Sequence, residues 1–196
     1  MPNTRTLLDL QNLTLKLINS YSSDGVPLVI ADNADILQLV NDYLNIAYYE
    51  FAHLDKIMVS KDYTTADETI RPDGVTKQYT LPTDYLDFCR LEYNTLDQEI
   101  TDFDIRGNLL FAKTTTDPLT FWYYKLPDRL SLATDIPLIR PQYHDYLSFY
   151  AAGTWLRQNG RAADGIDIMV LYDDSKAAVI PVRQKGINKI RNVMGY

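Results

Sequence analysis

Tyr79-Thr-Leu-Pro82-Thr-Asp84-Tyr85, then Leu119-Thr-Phe-Trp-Tyr-Tyr-Lys-Leu126, then Leu130-Ser-Leu-Ala-Thr-Asp135 and Ile136-Pro137, then Pro141-Gln-Tyr143 opening an apolar run to about Gln158: in that order the chain passes from strand, through a proline-bounded loop, into helix. The first segment is extended and ends in a turn. The second is a strand with four aromatics in a row. Pro141 suits a first helical turn, where its missing N–H does no harm. Tyr143, Leu147, Tyr150, Ala151 and Trp155 form the apolar face of that helix. Ala152 and Gly153 leave room for a close neighbour, and Asn159-Gly160 ends the run.

Working outward, residues 4–20 read as a helix, with Thr4 as its cap and Leu7, Leu10, Leu13 or Thr14, and Leu17 on one face. Ser20-Tyr-Ser-Ser-Asp-Gly-Val-Pro27 breaks it. Asp32 or Asn33 caps a longer helix over about 34–58, where Ile36, Val40, Tyr43, Ala47, Phe51, Leu54 and Met58 recur at three- and four-residue steps. Leu37, Leu44 and Tyr48 widen that stripe, which predicts two neighbours rather than one. After Lys61 the pattern changes. Asp73-Gly74 is a turn, and Val75–Leu81, Phe88–Tyr93, Glu99–Asp104, Leu109–Lys113 and Leu119–Leu126 each suit a strand. Arg106-Gly107-Asn108 is a tight hairpin, and Pro118 and Pro127 bracket the last strand.

From about Ala162 helix returns, with Ile168, Leu171, Tyr172 and Val179 in line and Ile187, Ile190 and Val193 continuing the phase. Pro181 is expected to kink or interrupt it, because proline removes one hydrogen bond and clashes with the preceding turn. The predicted fold is α+β: a helical bundle from N- and C-terminal helices, residues 1–60 and 137–196, with an inserted small antiparallel β-sheet or sandwich module, residues 61–136.

A chain of 196 residues, 46% hydrophobic, suits one domain with a subdomain. No apolar run approaches the roughly 18–20 residues of a membrane span. Met-Pro-Asn-Thr-Arg lacks a basic region followed by an apolar one, so no secretion is expected. Cys89, the single cysteine, excludes an internal disulfide framework and reads as a small buried hydrophobe in a strand. The net charge of −7 is unevenly placed: residues 61–104 hold eleven acids against Lys61, Arg71, Lys77 and Arg90. After Asp174 there is no acid, whereas Lys176, Arg183, Lys185, Lys189 and Arg191 follow. Such a split can orient copies or partners, although each region read alone is a solvated acidic face or a basic helix end. An acidic chain gains little from phosphate counterion release, so sequence-specific DNA binding is not expected.

Chemistry is hard to place. His53 and His144 have no second ligand at helical spacing, and the adjacent pairs Asp173-Asp174 and Asp67-Glu68 diverge. There is no Gly-x-Ser-x-Gly, and Gly74-Val-Thr-Lys77 lacks the first glycine of a phosphate loop. Asn12-Leu-Thr14 and Thr65-Ala-Asp-Glu68 are matches short enough to arise by chance. No catalytic residue, metal or cofactor is expected, and the chain does not read as an enzyme. The excess lies in aromatics, with fifteen tyrosines, six phenylalanines and two tryptophans. Phe51, Tyr43 and Trp155 read as core. Phe121, Trp122, Tyr123 and Tyr124 alternate across their strand, so two of the four face away from the sheet's core. Outward Tyr and Trp serve protein interfaces and sugar stacking alike.

The order of these elements resembles the head–tail adaptor (connector) proteins of tailed bacteriophages. The resemblance covers most of residues 34–180. It rests on the long helix, Tyr79-Thr-Leu-Pro82-Thr-Asp84, the Tyr-rich strand, Leu-Ser-Leu-Ala-Thr-Asp135, Pro137, Pro141-Gln-Tyr143 and Leu147-Ser-Phe-Tyr-Ala-Ala-Gly153. It implies a subunit of a ring, commonly twelve-fold, lying beneath the portal protein at the virion's head–tail junction and made in the host cytoplasm. Tail or neck proteins would be further partners, and the genome would pass through without sequence-specific binding. Under that resemblance Arg183, Lys185, Lys189, Arg191 and Tyr196 dock on a neighbour or the portal. Phe121, Trp122, Tyr123 and Tyr124 supply the contact of the β module. The competing expectation is a tail-associated receptor- or carbohydrate-binding module that uses Trp122 and Tyr124 for stacking. The sheet module is larger than in the simplest adaptors.

Overall fold

In the structure, a computed structural model, residues 4–18, 34–94, 98–113 and 118–191 are described, with Ala34 and residues 180–191 described by their backbone alone. The fold is α+β. Among the described residues it holds four α-helices and seven strands in two antiparallel sheets. The chain divides into two compact units, Met1–Asp55 with Asp128–Tyr196, and Lys56–Pro127. The expected break over Ser20–Pro27, the caps Asp32 and Asn33, and Val193 and Tyr196 lie outside the described residues.

In the first unit α1 (Leu7–Leu17) begins at Thr6 rather than Thr4. The reason is the acid three residues on: Thr6 Oγ1 accepts from the Asp9 N–H at 3.2 Å, and the Asp9 carboxylate accepts from the Thr6 N–H at 2.9 Å. A reciprocal cap of this kind stabilises a helix by about 1 kcal/mol. The N–H groups of Leu7 and Leu8 donate to the carbonyls of Asp135 and Ala133, at 2.7 and 3.1 Å. Its buried residues are Leu7, Leu10, Thr14 and Leu15, so Leu15 takes the place expected of Leu17.

The long helix α2 (Ala34–Asp55) buries Val40, Tyr43, Leu44, Ala47, Tyr48, Phe51 and Ala52. It stops three residues short of the expected Met58 because Lys56 adopts φ 52°, a left-handed conformation that ends a right-handed helix. A 3₁₀ turn at Pro141–Tyr143 leads into α3 (His144–Gln158), which packs on α1, α2 and α4 (Ala162–Arg191). Leu147, Ala151, Ala152 and Leu156 are buried on α3, while Tyr150 and Trp155 are half-buried. Gly160 at φ 80° completes its C-terminal cap, the Arg161 N–H donating to Leu156 O at 3.0 Å. On α4 the buried line is Gly165, Tyr172, Ser175 and Val179. Leu171, expected on that face, is 52% exposed because it stands one residue off the seven-residue step from Gly165 through Tyr172 to Val179. Pro181 does not interrupt the helix, which continues to Arg191. The missing N–H costs α4 one bond while residues on both sides hold helical geometry.

The second unit begins earlier and carries more strands than the five expected. Sheet one orders β1 (Met58–Tyr63), β7 (Leu119–Lys125) and β4 (Tyr85–Tyr93). Sheet two orders β2 (Thr69–Ile70), β3 (Thr76–Thr80), β6 (Leu109–Lys113) and β5 (Phe103–Arg106). Pairing of Met58 with Tyr124 and Tyr63 with Leu119 draws residues 58–60, expected in the helical part, into this unit. Both sheets contribute to one core: Tyr63, Leu91, Leu119, Phe121 and Tyr123 from the first, Tyr79, Leu110 and Ala112 from the second. Tyr63 and Tyr79 rings meet at 4.8 Å and Phe88 and Phe103 at 4.7 Å. The hairpin at Gly107 forms as expected, φ 60° serving the Gly-first turn between Arg106 and Leu109. At Asp73-Gly74 the Thr76 hydroxyl, with the Thr76 and Val75 N–H groups, holds the Asp73 carboxyl down at about 2. Cys89, expected buried, is half-buried on β4, its Sγ 3.7 Å from Sδ of Met58 on β1, the strand on the other side of β7.

Candidate functional site

The aromatic strand β7 divides its side chains as its alternation demands. Phe121 and Tyr123 enter the core at 0% and 6% exposure, which removes both from the surface of this unit. Trp122 and Tyr124 occupy the other face and are half-buried. Each already carries a cation. The Arg90 guanidinium lies 4.8 Å from the Trp122 ring centre, and Lys56 Nζ lies 4.3 Å from that of Tyr124. The Trp122 indole N–H donates to Glu92 Oε2 at 2.8 Å, and Arg90 Nε pairs with Glu92 Oε1 at 3.0 Å. A stacking platform for a sugar needs an open ring face. Here one face of each ring is covered by the protein's own charge.

A different surface emerges on residues 128–140, a strap without regular secondary structure. Asn45 on α2, 3% exposed, grips it in two directions: its Nδ2 donates to Leu130 O at 3.1 Å, and its Oδ1 accepts from the Leu130 N–H at 2.8 Å. Seven residues separate Tyr48 from Asp55 on the same helix, and both take part. The Tyr48 hydroxyl accepts from the Leu138 N–H and Asp55 Oδ2 from the Arg140 N–H, each at 2.8 Å. Burial pushes the Tyr48 hydroxyl up to about 12, so it stays protonated. Arg129 pairs with Asp42. Within the strap Asp135 Oδ2 accepts from the N–H groups of Ser131 and Leu132, both at 2.7 Å, and these bonds lower its carboxyl. With its backbone pinned this way, the strap leaves Leu132, Ile136 and Leu138 at 65%, 49% and 54% exposure. Ile136 and Leu138 border a hollow of about 210 Å³ between the strap and α2.

At the strap's end His144 is fully buried. Its Nδ1 accepts from the Arg5 N–H and its Nε2 faces Ile139 O, both at 3.0 Å, which fixes the neutral tautomer with the proton on Nε2. Burial lowers its pKa. It is a structural histidine. Nearby on α2, desolvation raises Glu50, but the Tyr172 hydroxyl at 2.6 Å and Lys176 at 3.0 Å outweigh it and hold the carboxyl low.

The basic residues Arg183, Lys185, Lys189 and Arg191 stand on the last turns of α4, where the backbone is helical and the side chains lie outside the described residues. The first half of the same helix holds what sequence inspection passed over. Ile166, Val170 and Leu171 are exposed by half, beside exposed Asp167, Asp173 and Asp174. The signal was available, since 166, 170, 173, 174 and 177 share a side at helical spacing. In the β unit a groove of about 330 Å³ brings the guanidinium groups of Arg71 and Arg106 to 5.0 and 5.7 Å from the Phe111 ring centre, beside the pairs Arg106–Asp104 and Lys113–Asp102. Two of its three cations, Arg106 and Lys113, are paired with acids.

Among the described residues no three His, Cys, Asp or Glu side chains converge as metal ligands, and no helix is long and apolar enough to cross a membrane. Comparison of the sequence with protein-family models finds no match, and comparison with curated proteins finds no significant relative.

Proposed function

We propose that the chain is a structural head–tail adaptor of a tailed bacteriophage. Copies would form a ring, twelve-fold, beneath the portal protein at the virion's head–tail junction, joining capsid vertex to tail and letting the genome pass. The helices of the first unit would serve as the bundle that builds the ring, and the β unit would face a neighbouring copy or a tail or neck protein. No reaction is assigned to it.

The observation that carries this reading is the strap. The residues on which the resemblance rests, Leu130 to Asp135, Pro137 and Pro141 to Tyr143, coincide with a backbone pinned by Asn45, Tyr48 and Asp55. That backbone presents Leu132, Ile136 and Leu138 outward. Apolar side chains on a backbone pinned before encounter spare a partner the cost of ordering that backbone, which favours an assembly contact. The acidic balance of the chain also supports passage of DNA without adhesion.

Native mass spectrometry of the purified chain, alone and mixed with portal rings, tests the reading. Rings of twelve copies, or capture on the portal, are expected. A chain that remains solitary in both, or that binds glycans through Trp122 and Tyr124 as a monomer, overturns it, the latter in favour of a tail-associated receptor- or carbohydrate-binding module.

A further inference from the structure

We propose that a second copy of this chain adds its strand β5 to the free edge of β1, so that the β units of successive copies join head to tail. The inference deepens the reading of the β unit as a contact between neighbouring copies and rests on that reading for closure into a ring.

An edge strand offers another chain the backbone groups that its own sheet leaves unpaired. In sheet one the Lys125 N–H donates to Ile57 O at 2.9 Å, and Met58 stands opposite Tyr124. That fixes the alternation: Val59, Lys61 and Tyr63 turn their backbone groups to β7, and Met58, Ser60 and Asp62 turn theirs away from it. In sheet two the Lys113 N–H donates to Asp102 O at 3.2 Å, and Phe103 stands opposite Ala112. By the same alternation Asp104 and Arg106 bond to β6, whereas Phe103 and Ile105 face outward. Among the described residues nothing bonds the outward groups of either strand. Met58, Ser60 and Asp62 are exposed.

The other two edges are blunted. β2 has only two residues. β4 is broken by two register shifts, and beyond them Leu91 O and the Tyr93 N–H are bonded to residues 98–100. β1 pairs without a bulge over its whole length and holds no proline. Tyr63 on β1 meets Tyr79 on β3, and Phe88 on β4 meets Phe103 on β5. The sheets therefore stack with β1 and β5 at opposite sides of the unit. One edge of each kind per copy, turned opposite ways, is the arrangement of a head-to-tail contact.

Charge selects β5 over a second β1. The face of β1 that carries Val59, Lys61 and Tyr63 holds no acid, and among the described residues Lys61 forms no ion pair. Its ammonium lies 4.8 Å from the Tyr63 ring centre. Two β1 strands would bring two Lys61 side chains onto one face with nothing to offset them. β5 supplies the acid. Outward groups must meet outward groups, and an antiparallel register with Ser60 opposite Ile105 and Asp62 opposite Phe103 does this at both pairs. The same register sets Lys61 opposite Asp104, whose pair with Arg106 at 2.6 Å is more than half exposed.

Mass photometry of the full chain, with hydrogen exchange followed at low and high protein concentration, is the test. The wild-type chain should associate as concentration rises, and amides within 58–63 and 103–106 should slow together. Ser60→Pro removes an outward N–H that the single molecule does not use, so association should be lost with the thermal transition retained. Lys61→Glu and Asp104→Lys should each weaken association about tenfold, since each sets like charges opposite one another. Both changes in one chain should restore it. Should Ser60→Pro unfold the protein, the charge variants and the exchange pattern give the readout. Association that survives Ser60→Pro in a folded chain, or a double variant no better than its parents, overturns the inference. So does an effect of only one of the two charge changes, which would assign a β1–β1 or a β5–β5 pair. A wild-type chain that is solitary yet captured by portal rings sinks this inference and leaves the adaptor reading standing. Charge-swap rescue without portal capture does the reverse.

Discussion

Gly153 on α3 and Gly165 on α4 abut so closely that neither could carry a side chain without something moving. A Cβ at Gly165 would lie 2.7 Å from the carbonyl oxygen of Gly153, and one at Gly153 would lie 2.7 Å from Met169 Cγ. Backbone resists such an intrusion, whereas the end of a methionine gives way. Gly165→Ala should therefore destabilise the protein by about 1–3 kcal/mol despite alanine's better helix propensity, and Gly153→Ala by less. Urea unfolding of the two variants checks the order. Equal or increased stability of Gly165→Ala would contradict the close approach.

Asn45 is the second point of weakness. Its amide satisfies both backbone groups of Leu130 in a buried place. Asn45→Leu would leave a donor and an acceptor without partners, at about 1–3 kcal/mol for each. Limited proteolysis should then cut first within residues 128–140, before global unfolding. A strap as resistant as that of wild type would show that other bonds suffice.

The pH dependence should bear the mark of His144. Its folded pKa lies below the ordinary value of about 6.5, because burial disfavours the imidazolium. The unfolded chain thus binds the proton first as pH falls. Stability from this group is fully present above about 6.5 and declines as pH drops toward the lowered value, by at most about 1.4 kcal/mol per unit. The carboxyls of Asp9 and Asp135 are also lowered, so their contribution fades only below the usual carboxylate range. Denaturant midpoints at neutral and mildly acidic pH should fall for wild type and stay flatter for His144→Asn. An equal slope in both would move the origin elsewhere.

Arg90 over Trp122 offers a spectroscopic check on the β unit. In a Trp155→Phe background Trp122 is the only tryptophan, and Arg90→Ala should shift its emission to longer wavelength as water reaches the ring. The loss in stability should be about 0.5–1 kcal/mol, the scale of an exposed cation–π contact. An unchanged spectrum would mean that the guanidinium does not cover the indole.

Leu132→Asp with Leu138→Asp should leave the unfolding transition within about 0.5 kcal/mol of wild type, since both side chains are largely exposed. Self-association or portal capture should be lost in the same variant. Retained assembly would relocate the contact.

Where periodicity was strong, the chain was readable in advance. The stripe of α2 and the pair Asn159-Gly160 gave true elements because helix packing and capping are local in sequence. The strand Met58–Tyr63 escaped because Met58 extends the helical stripe and Lys61 falls where an apolar residue would have marked alternation. Lys61 instead lays its ammonium 4.8 Å from the Tyr63 ring centre. Two-residue β2 is too short to leave a pattern. The strap's anchors could not be read, since Asn45 and Leu130 stand 85 positions apart and nothing local in either foretells their pairing. Phe121 and Tyr123, buried in the structure, stood among the four expected contact residues for a simpler reason: alternation says that two aromatics point outward, not which two.

The antiparallel register of Met58 with Tyr124 places the first and last strands of the β unit side by side. The polypeptide thus departs from the helical part and comes back at nearly the same spot. Such a detour can be shortened, lengthened or exchanged by recombination while the thread that it interrupts keeps its course, because only two neighbouring junctions have to be respected. Selection could refashion Lys56–Pro127 for a new partner with the helices left as they are.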